Sequence, residues 1–243
     1  MADTVIQFEH VVKKYGEHTV LEDFNLDISK GEFLTVIGRS GCGKTTALKM
    51  INGLNIPDAG TVCVNGENIA GADQIRLRRR IGYVIQSIGL FPHMTVAKNI
   101  TYVPDLSRQW DKATAKEKVA ELLEKVGLDA SYAGRYPDEL SGGQCQRVGI
   151  ARALASGPEI LLMDEPFGAV DEITRKTLQE EILHIQKELN VTVIFITHDI
   201  KEALKLGTRV LVMDGGKIVQ LDTPERIRSH PENEFVRELV ASA

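Results

Sequence analysis

The run Gly38-Arg39-Ser40-Gly41-Cys42-Gly43-Lys44-Thr45 has the spacing Gly-x-x-x-x-Gly-Lys-Ser/Thr. It stands between the apolar run Phe33-Leu34-Thr35-Val36-Ile37 and a helical stretch from Lys44 to Asn52 that Gly53 closes. Glycines let such a loop curl until its amides face inward, and the helix that follows points its partial positive charge at the same place. An anion with several oxygens fits there. Lys44 would neutralise the β- and γ-phosphates of a nucleotide, and the Thr45 hydroxyl would ligate magnesium. A glycine-rich turn before a helix needs no ligand, but the order strand, loop, helix is the context the phosphate reading requires.

Two further groups could act on such a phosphate. The apolar strand Ile160 to Met163 ends in Asp164-Glu165. An acidic pair at a strand end is by itself most often a helix cap or a solvated loop. Beside a phosphate loop, Asp164 can hold magnesium through water and Glu165 can orient or deprotonate an attacking water. In Leu140-Ser141-Gly142-Gly143-Gln144, Ser141 sits at an N-cap position, the glycines permit close backbone approach, and Val148, Ala151 and Leu154 give the next helix an apolar face. That is a second helix start suited to an anion, although a capped helix explains it equally well.

The elements that must position these residues alternate. From Thr4 to Ser29, β-rich runs broken by Tyr15-Gly16-Glu17 read as a small antiparallel section. The runs Ile160 to Met163 and Val191 to Ile196 are continuous and branched, as in strands buried on both faces of a parallel sheet. Glu172 to Leu189 supplies a helical crossover, so the core reads as α/β. Between about 90 and 157 the pattern is mostly helical, with Val119, Leu122, Leu123 and Val126 at helical spacing and Gly127 behind them. Val210 to Val219 reads as strand, turn, strand, and Thr223-Pro224-Glu225 as the start of a last helix. The expected organisation is one domain, 1–243, with a core of 1–89 and 158–243 and an inserted helical subdomain of about 90–157.

Composition narrows the function classes. With 29 basic and 34 acidic residues the net charge is -5, which lacks the positive field of a nucleic-acid binder. The densest basic cluster, Arg76, Arg78, Arg79 and Arg80, reads as a solvated helix face. Cys42, Cys63 and Cys145 have no paired-ligand spacing, so reduced thiols in a cytosolic compartment are expected. No apolar run approaches the roughly 20 residues of a membrane helix, and Met1-Ala2-Asp3-Thr4 does not begin a signal peptide. Membrane association is expected through a partner.

Taken together, these motifs resemble the ATP-binding cassette (ABC) family over nearly the whole chain. The resemblance implies a P-loop NTPase, RecA-like core with an N-terminal antiparallel β section and an inserted α-helical subdomain. It also implies that ATP and Mg2+ are bound between two head-to-tail copies, with Leu140 to Gln144 of one copy closing over the γ-phosphate held by the other. Tyr15, by itself a candidate strand-edge aromatic, matches the residue that stacks on adenine. Gln86 matches the glutamine that senses magnesium and the transmembrane partner. Gly168-Ala169-Val170-Asp171 matches the loop that contacts the opposite subunit, and His198 the histidine that holds the attacking water.

The nucleotide set so implied is Tyr15, Gly38, Arg39, Ser40, Gly41, Cys42, Gly43, Lys44, Thr45, Thr46, Gln86, Ser141, Gly142, Gly143, Gln144, Asp171 and His198. Glu165, His198 and Lys44 are the catalytic candidates, and Thr45, Gln86 and Asp164 the metal candidates. Val170 stands where leucine is usual and Cys145 where glutamine is common; neither change removes a catalytic group.

Three stretches, Ile81 to Val96, Met163 to Arg175, and Val103-Pro104-Asp105-Leu106 leading to Trp110, are similar to the quaternary-amine and osmoprotectant importers of bacteria. The implied partners are permease subunits at the cytoplasmic face of the cell membrane and, indirectly, an extracytoplasmic binding protein. The implied cargo is glycine betaine, carnitine or choline, with another small solute such as an amino acid or polyamine as the alternative. Many ATPases of that group carry C-terminal regulatory modules; only a short tail follows Val219, so regulation is expected elsewhere. A P-loop kinase would use Lys44 and Asp164 but not Leu140 to Gln144. A non-transport cassette protein usually has long coiled coils or tandem cassettes.

Overall fold

The chain opens with three strands and then mixes strands and helices, with three helices in succession in its middle. A computed structural model describes residues 3–87, 89–168 and 170–242. Ile88, in the stretch after Gln86, and Ala169, in the loop before Asp171, lie outside the described residues. In chain order the first elements are β1 (Thr4–Tyr15), β2 (His18–Ser29), β3 (Phe33–Gly38), α1 (Lys44–Ile51), β4 (Ala59–Val64), β5 (Glu67–Asn68) and α2 (Gln74–Arg79). There follow β6 (Ile81–Val84), α3 (Val96–Ser107), α4 (Lys112–Lys125), α5 (Gly142–Leu154), β7 (Ile160–Asp164) and α6 (Glu172–Leu189). The chain closes with β8 (Thr192–Ile196), α7 (Ile200–Leu206), β9 (Arg209–Asp214), β10 (Lys217–Asp222), α8 (Pro224–Ser229) and α9 (Glu234–Ala241). Among the described residues no helix is long and apolar enough to cross a membrane.

Internal contacts divide the chain into two units, one of Met1–Arg78 with Thr192–Ala243 and one of Arg79–Val191. The first contains an antiparallel sheet in the order β2-β1-β4-β5. Its β1–β2 register, Phe8↔Leu26 and Tyr15↔His18, is that of a hairpin broken at Gly16, and β4 joins on the other edge with Ile6↔Val64. The same unit holds β10-β9-β3-β8. Strand β3 runs parallel to β8 and β9, with Val36↔Ile196 and Val36↔Leu211, and its residues Phe33 to Ile37 are all buried. A strand covered on both faces shows no polar–apolar alternation, and its one hydroxyl, Thr35, is satisfied by donating to the Ala203 carbonyl at 3.0 Å. Ile200, Ala203 and Leu204 of α7, Ile227 of α8 and Val236 of α9 share a buried cluster with Ile37, Val210 and Val212.

The second unit pairs β6 with β7 in parallel, Ile81↔Ile160 through Val84↔Met163, and carries the helices α3 to α6. Asp111, Ser141 and Asp171 cap α4, α5 and α6, each accepting a hydrogen bond from a backbone N–H of the first turn. At the far end of α4, Gly127 adopts φ 66, the left-handed conformation that glycine favours after a helix.

The four clustered arginines do not form one patch. Arg78 donates to the carbonyls of Asn52 and Gly53, satisfying orphan acceptors at the end of α1, while Arg80 pairs with Glu159.

Candidate functional site

The phosphate-loop residues are held in a closed ring by their own lysine. Lys44 Nζ donates to the carbonyls of Gly38 at 2.8 Å and Arg39 at 2.9 Å, and the Lys44 residue is only 8% exposed. Gly43 is the N-cap of α1 at φ 102, a left-handed conformation in which a side chain would be strained. A Cβ there would also lie 2.8 Å from Leu21 Cδ2 and 2.9 Å from the Val20 carbonyl, and one on Gly38 would lie 2.1 Å from the Met213 carbonyl. At Gly43 and Gly38 the loop is thus wedged against β2 and the end of β9, where a side chain would clash.

Tyr15 pairs with His18 at the tip of the β1–β2 hairpin, close in sequence to that Val20 contact, and the residue is 51% exposed. Burial pushes the Cys42 thiol above its ordinary pKa, so the cysteine of the loop is a neutral packing group. Thr45 and Thr46 occupy the first turn of α1 and are half-buried.

Strand register brings His198 to the same end. Ile196 lies opposite Val36, Thr197 N donates to the Val36 carbonyl at 3.1 Å, and His198 follows, exposed, as Gly38 follows Ile37. Parallel strands deliver their carboxyl ends to one edge, the place where α/β proteins bind ligands. Buried Thr197 anchors the turn by donating to Glu202 Oε2 at 2.6 Å, and Asp199 then caps α7.

In the second unit strand register likewise places Gln86 and Glu165. Each stands two residues past the pair Val84↔Met163, and Gln86 Nε2 donates to Glu165 Oε2 at 3.1 Å. Glu165 adopts φ 45, a left-handed conformation for a residue other than glycine, costing on the order of 1 kcal/mol or more. Asp164, just before it, is 8% exposed, and burial together with the Asp164 charge pushes Tyr83 up to about 12.

Ser141 Oγ accepts from Gln144 N at 3.3 Å while Gln144 Oε1 accepts from Ser141 N at 2.9 Å, a reciprocal capping box. Gln144 Nε2 also donates to the Tyr132 hydroxyl at 3.0 Å. This turn and the start of α6 line a cavity of about 670 Å³ with Ser141, Gly142, Gly143, Gln144, Asp171 and Thr174 among its walls. A Cβ on Gly143 would stand 2.9 Å from Thr174 Cγ2, so the two helix starts touch. Hydrogen bonding from Thr174 N holds the Asp171 carboxyl below its ordinary value.

Thus the structure groups Gly38 to Thr46, Tyr15 and His198 in the first unit, and Gln86, Asp164, Glu165, Ser141 to Gln144 and Asp171 in the second. Tyr132, Arg147 and Thr174, which also line the cavity, carry no local sequence signal that marks them.

The profile of the family described as ABC transporter matches residues 21–168. The glycine betaine/carnitine/choline transport ATP-binding protein of Bacillus subtilis is 52% identical over 97% of this chain, which spans only 62% of that relative's length. The glycine betaine uptake system ATP-binding protein of Escherichia coli is 48% identical over 96% of this chain and 76% of its own. A solved dimeric ATP-binding cassette in a post-hydrolysis state, bound to ADP and Pi, superposes with a TM-score of 0.82 at 32% identity, covering 90% of this chain and 98% of that one. The lysine-closed loop ahead of α1 and the capped Ser-Gly-Gly-Gln turn ahead of α5 therefore stand in a known fold, and the chain belongs to the ABC transporter family.

Proposed function

We propose that this chain binds ATP at Gly38 to Thr46 and hydrolyses it between two head-to-tail copies, as the motor of an importer of glycine betaine, carnitine, choline or a related osmoprotectant. The closed loop carries the reading. Lys44 reaches the carbonyls of Gly38 and Arg39 with its charge already inside the ring, so incoming phosphate oxygens meet a buried ammonium at a helix start. The cargo rests on the two bacterial relatives, both named as transport ATP-binding proteins for quaternary amines.

The remaining residues divide the work. Tyr15 stacks on adenine, and the amides of Gly41, Cys42 and Gly43 surround the phosphates. Thr45 in the first unit offers a hydroxyl, and in the second Asp164 offers a carboxylate and Gln86 an amide oxygen; each is a hard oxygen donor of the kind magnesium takes. Magnesium held by these donors would supply positive charge to the phosphates. Glu165 accepts the proton of the attacking water as its oxygen bonds to the γ-phosphorus and the bond to the β–γ bridging oxygen breaks, with His198 steadying that water. The Ser141 to Gln144 turn and Asp171 of the second copy complete the pocket. Loss of the γ-phosphate removes contacts made by both copies, so the dimer reopens and moves the permease docked near Gln86 on the cytoplasmic side.

Two measurements test this. Specific ATPase activity should rise with protein concentration as dimers form, and cells with the intact permease should lose uptake of labelled glycine betaine when Lys44→Ala replaces the native chain. Activity independent of concentration would remove the two-copy site, and uptake that survives would remove the transport role.

A further inference from the structure

We infer that Arg147 and Glu181 are a positioning pair that fixes the angle between the Ser141 to Gln144 turn and the Asp171 end of α6, so that both meet a triphosphate as one surface. This rests on the two-copy reading above and names the device that keeps its second half in shape. Arg147 lies one turn beyond Gln144 on α5 with its side chain 12% exposed, and Glu181 lies on α6 at 20%. A single nitrogen, Arg147 Nη1, donates to the Val126 carbonyl at 2.6 Å and to Glu181 Oε1 at 2.5 Å. Because Val126 is the C-cap of α4, three helices are tied at that atom. The space is tight: a Cβ on Gly127 would stand 2.4 Å from both Arg147 Nη1 and Glu181 Oε1.

Geometry explains why the tie matters. Helices α5 and α6 already touch where Gly143 faces Thr174, but contact at one point leaves two rods free to pivot. Arg147 and Glu181 add a second point roughly 6 Å further along α5 and roughly 10 Å further along α6, which removes the pivot. The cavity lined by Ser141, Gly143, Asp171, Thr174 and Arg147 lies beside these contacts.

Stability alone is a poor reason for the pair. Glu181 Oε2 is buried without a hydrogen-bond partner, and burial raises the Glu181 carboxyl above its ordinary value despite Arg147. Two apolar side chains of similar volume would avoid that desolvation. What an apolar pair cannot supply is the directed bond to the Val126 carbonyl.

The test uses the Glu165→Gln chain, whose ATP-driven dimerisation is read by light scattering, alongside kcat and KM of the hydrolysing chain. If the Glu165→Gln parent stays monomeric in ATP, the two-copy reading fails and this inference falls with it. With the parent dimeric, the double variant Arg147→Met/Glu181→Leu should keep the native unfolding temperature and affinity for a fluorescent ATP analogue, yet dimerise about tenfold to a hundredfold more weakly. In the hydrolysing chain KM should rise more than kcat falls. Native dimerisation by the double variant would mark the pair as structural packing only and overturn the inference. Should the double variant fail to fold, Arg147→Lys decides, since one ammonium reaches Val126 or Glu181 but does not reproduce the guanidinium's geometry. A partial loss is expected and no loss overturns the proposal.

Discussion

Gln86 Nε2 donates a 3.1 Å hydrogen bond to the Glu165 carboxylate, joining two residues that each stand just beyond a parallel strand. The bond fixes the direction of the carboxylate between two strand ends. Glu165 is also held at φ 45, so its side chain direction is set by a backbone conformation that glutamate does not prefer.

Replacing Glu165 should separate binding from chemistry. Glu165→Gln should retain nucleotide and lose about 10²- to 10⁴-fold in turnover, seen as closed dimers on size-exclusion chromatography in ATP. Glu165→Gly should be equally inactive but unfold at or above the native temperature, because glycine adopts this φ without strain. A marked drop in unfolding temperature would contradict the strain argument.

Lys44→Ala should weaken binding of a fluorescent ATP analogue by at least about tenfold, through loss of a charge-assisted contact to phosphate. It also leaves the carbonyls of Gly38 and Arg39 without their shared donor. Unchanged affinity would place the nucleotide elsewhere.

Gly143→Ala should crowd Thr174 Cγ2, 2.9 Å from the new methyl, and push the two helix starts apart. Thr174→Ser removes that methyl, so the double variant should be better than the sum of the singles by about 1 kcal/mol in a double-mutant cycle of ATP-driven dimerisation. Simple additivity would show that the contact does not set the spacing.

The cap of α4 should confer an acid-sensitive share of stability. Hydrogen bonding from Thr114 N holds the exposed Asp111 carboxyl below its ordinary 3.8. The folded chain therefore prefers the ionised form, whose stabilisation is complete above the unfolded pKa and is lost as pH falls through the lower folded value. Asp111→Asn keeps a capping oxygen that does not titrate. Its unfolding-temperature difference from the native chain should be constant near neutrality and shrink below the ordinary carboxyl pKa.

The α/β alternation, the β1–β2 hairpin, the helix after the phosphate loop and the Ser141 cap were readable because each depends on residues close together in the chain. Turns need glycine where φ is positive, and caps need a short oxygen-bearing side chain. The joining of β4 to β1 was not readable, since Ile6↔Val64 is a pairing between distant segments with no local mark. Nor was the use of Arg78 to satisfy the end of α1, where a run of arginines suggested only a solvated face. Nor was the grouping of β6, β7 and α6 with the intervening helices in one unit of Arg79–Val191, which rests on contacts between distant segments.

By itself the sequence determined the glycine loop, the lysine at its helix start and the serine cap, because each acts within a few residues of chain. Only the tertiary structure decided which distant groups became partners. Gln86 with Glu165, His198 beside the end of β3, and Arg147 with Val126 and Glu181 all depend on strand register or helix crossing. Those follow from burying whole apolar faces at once, and no single residue's type records them.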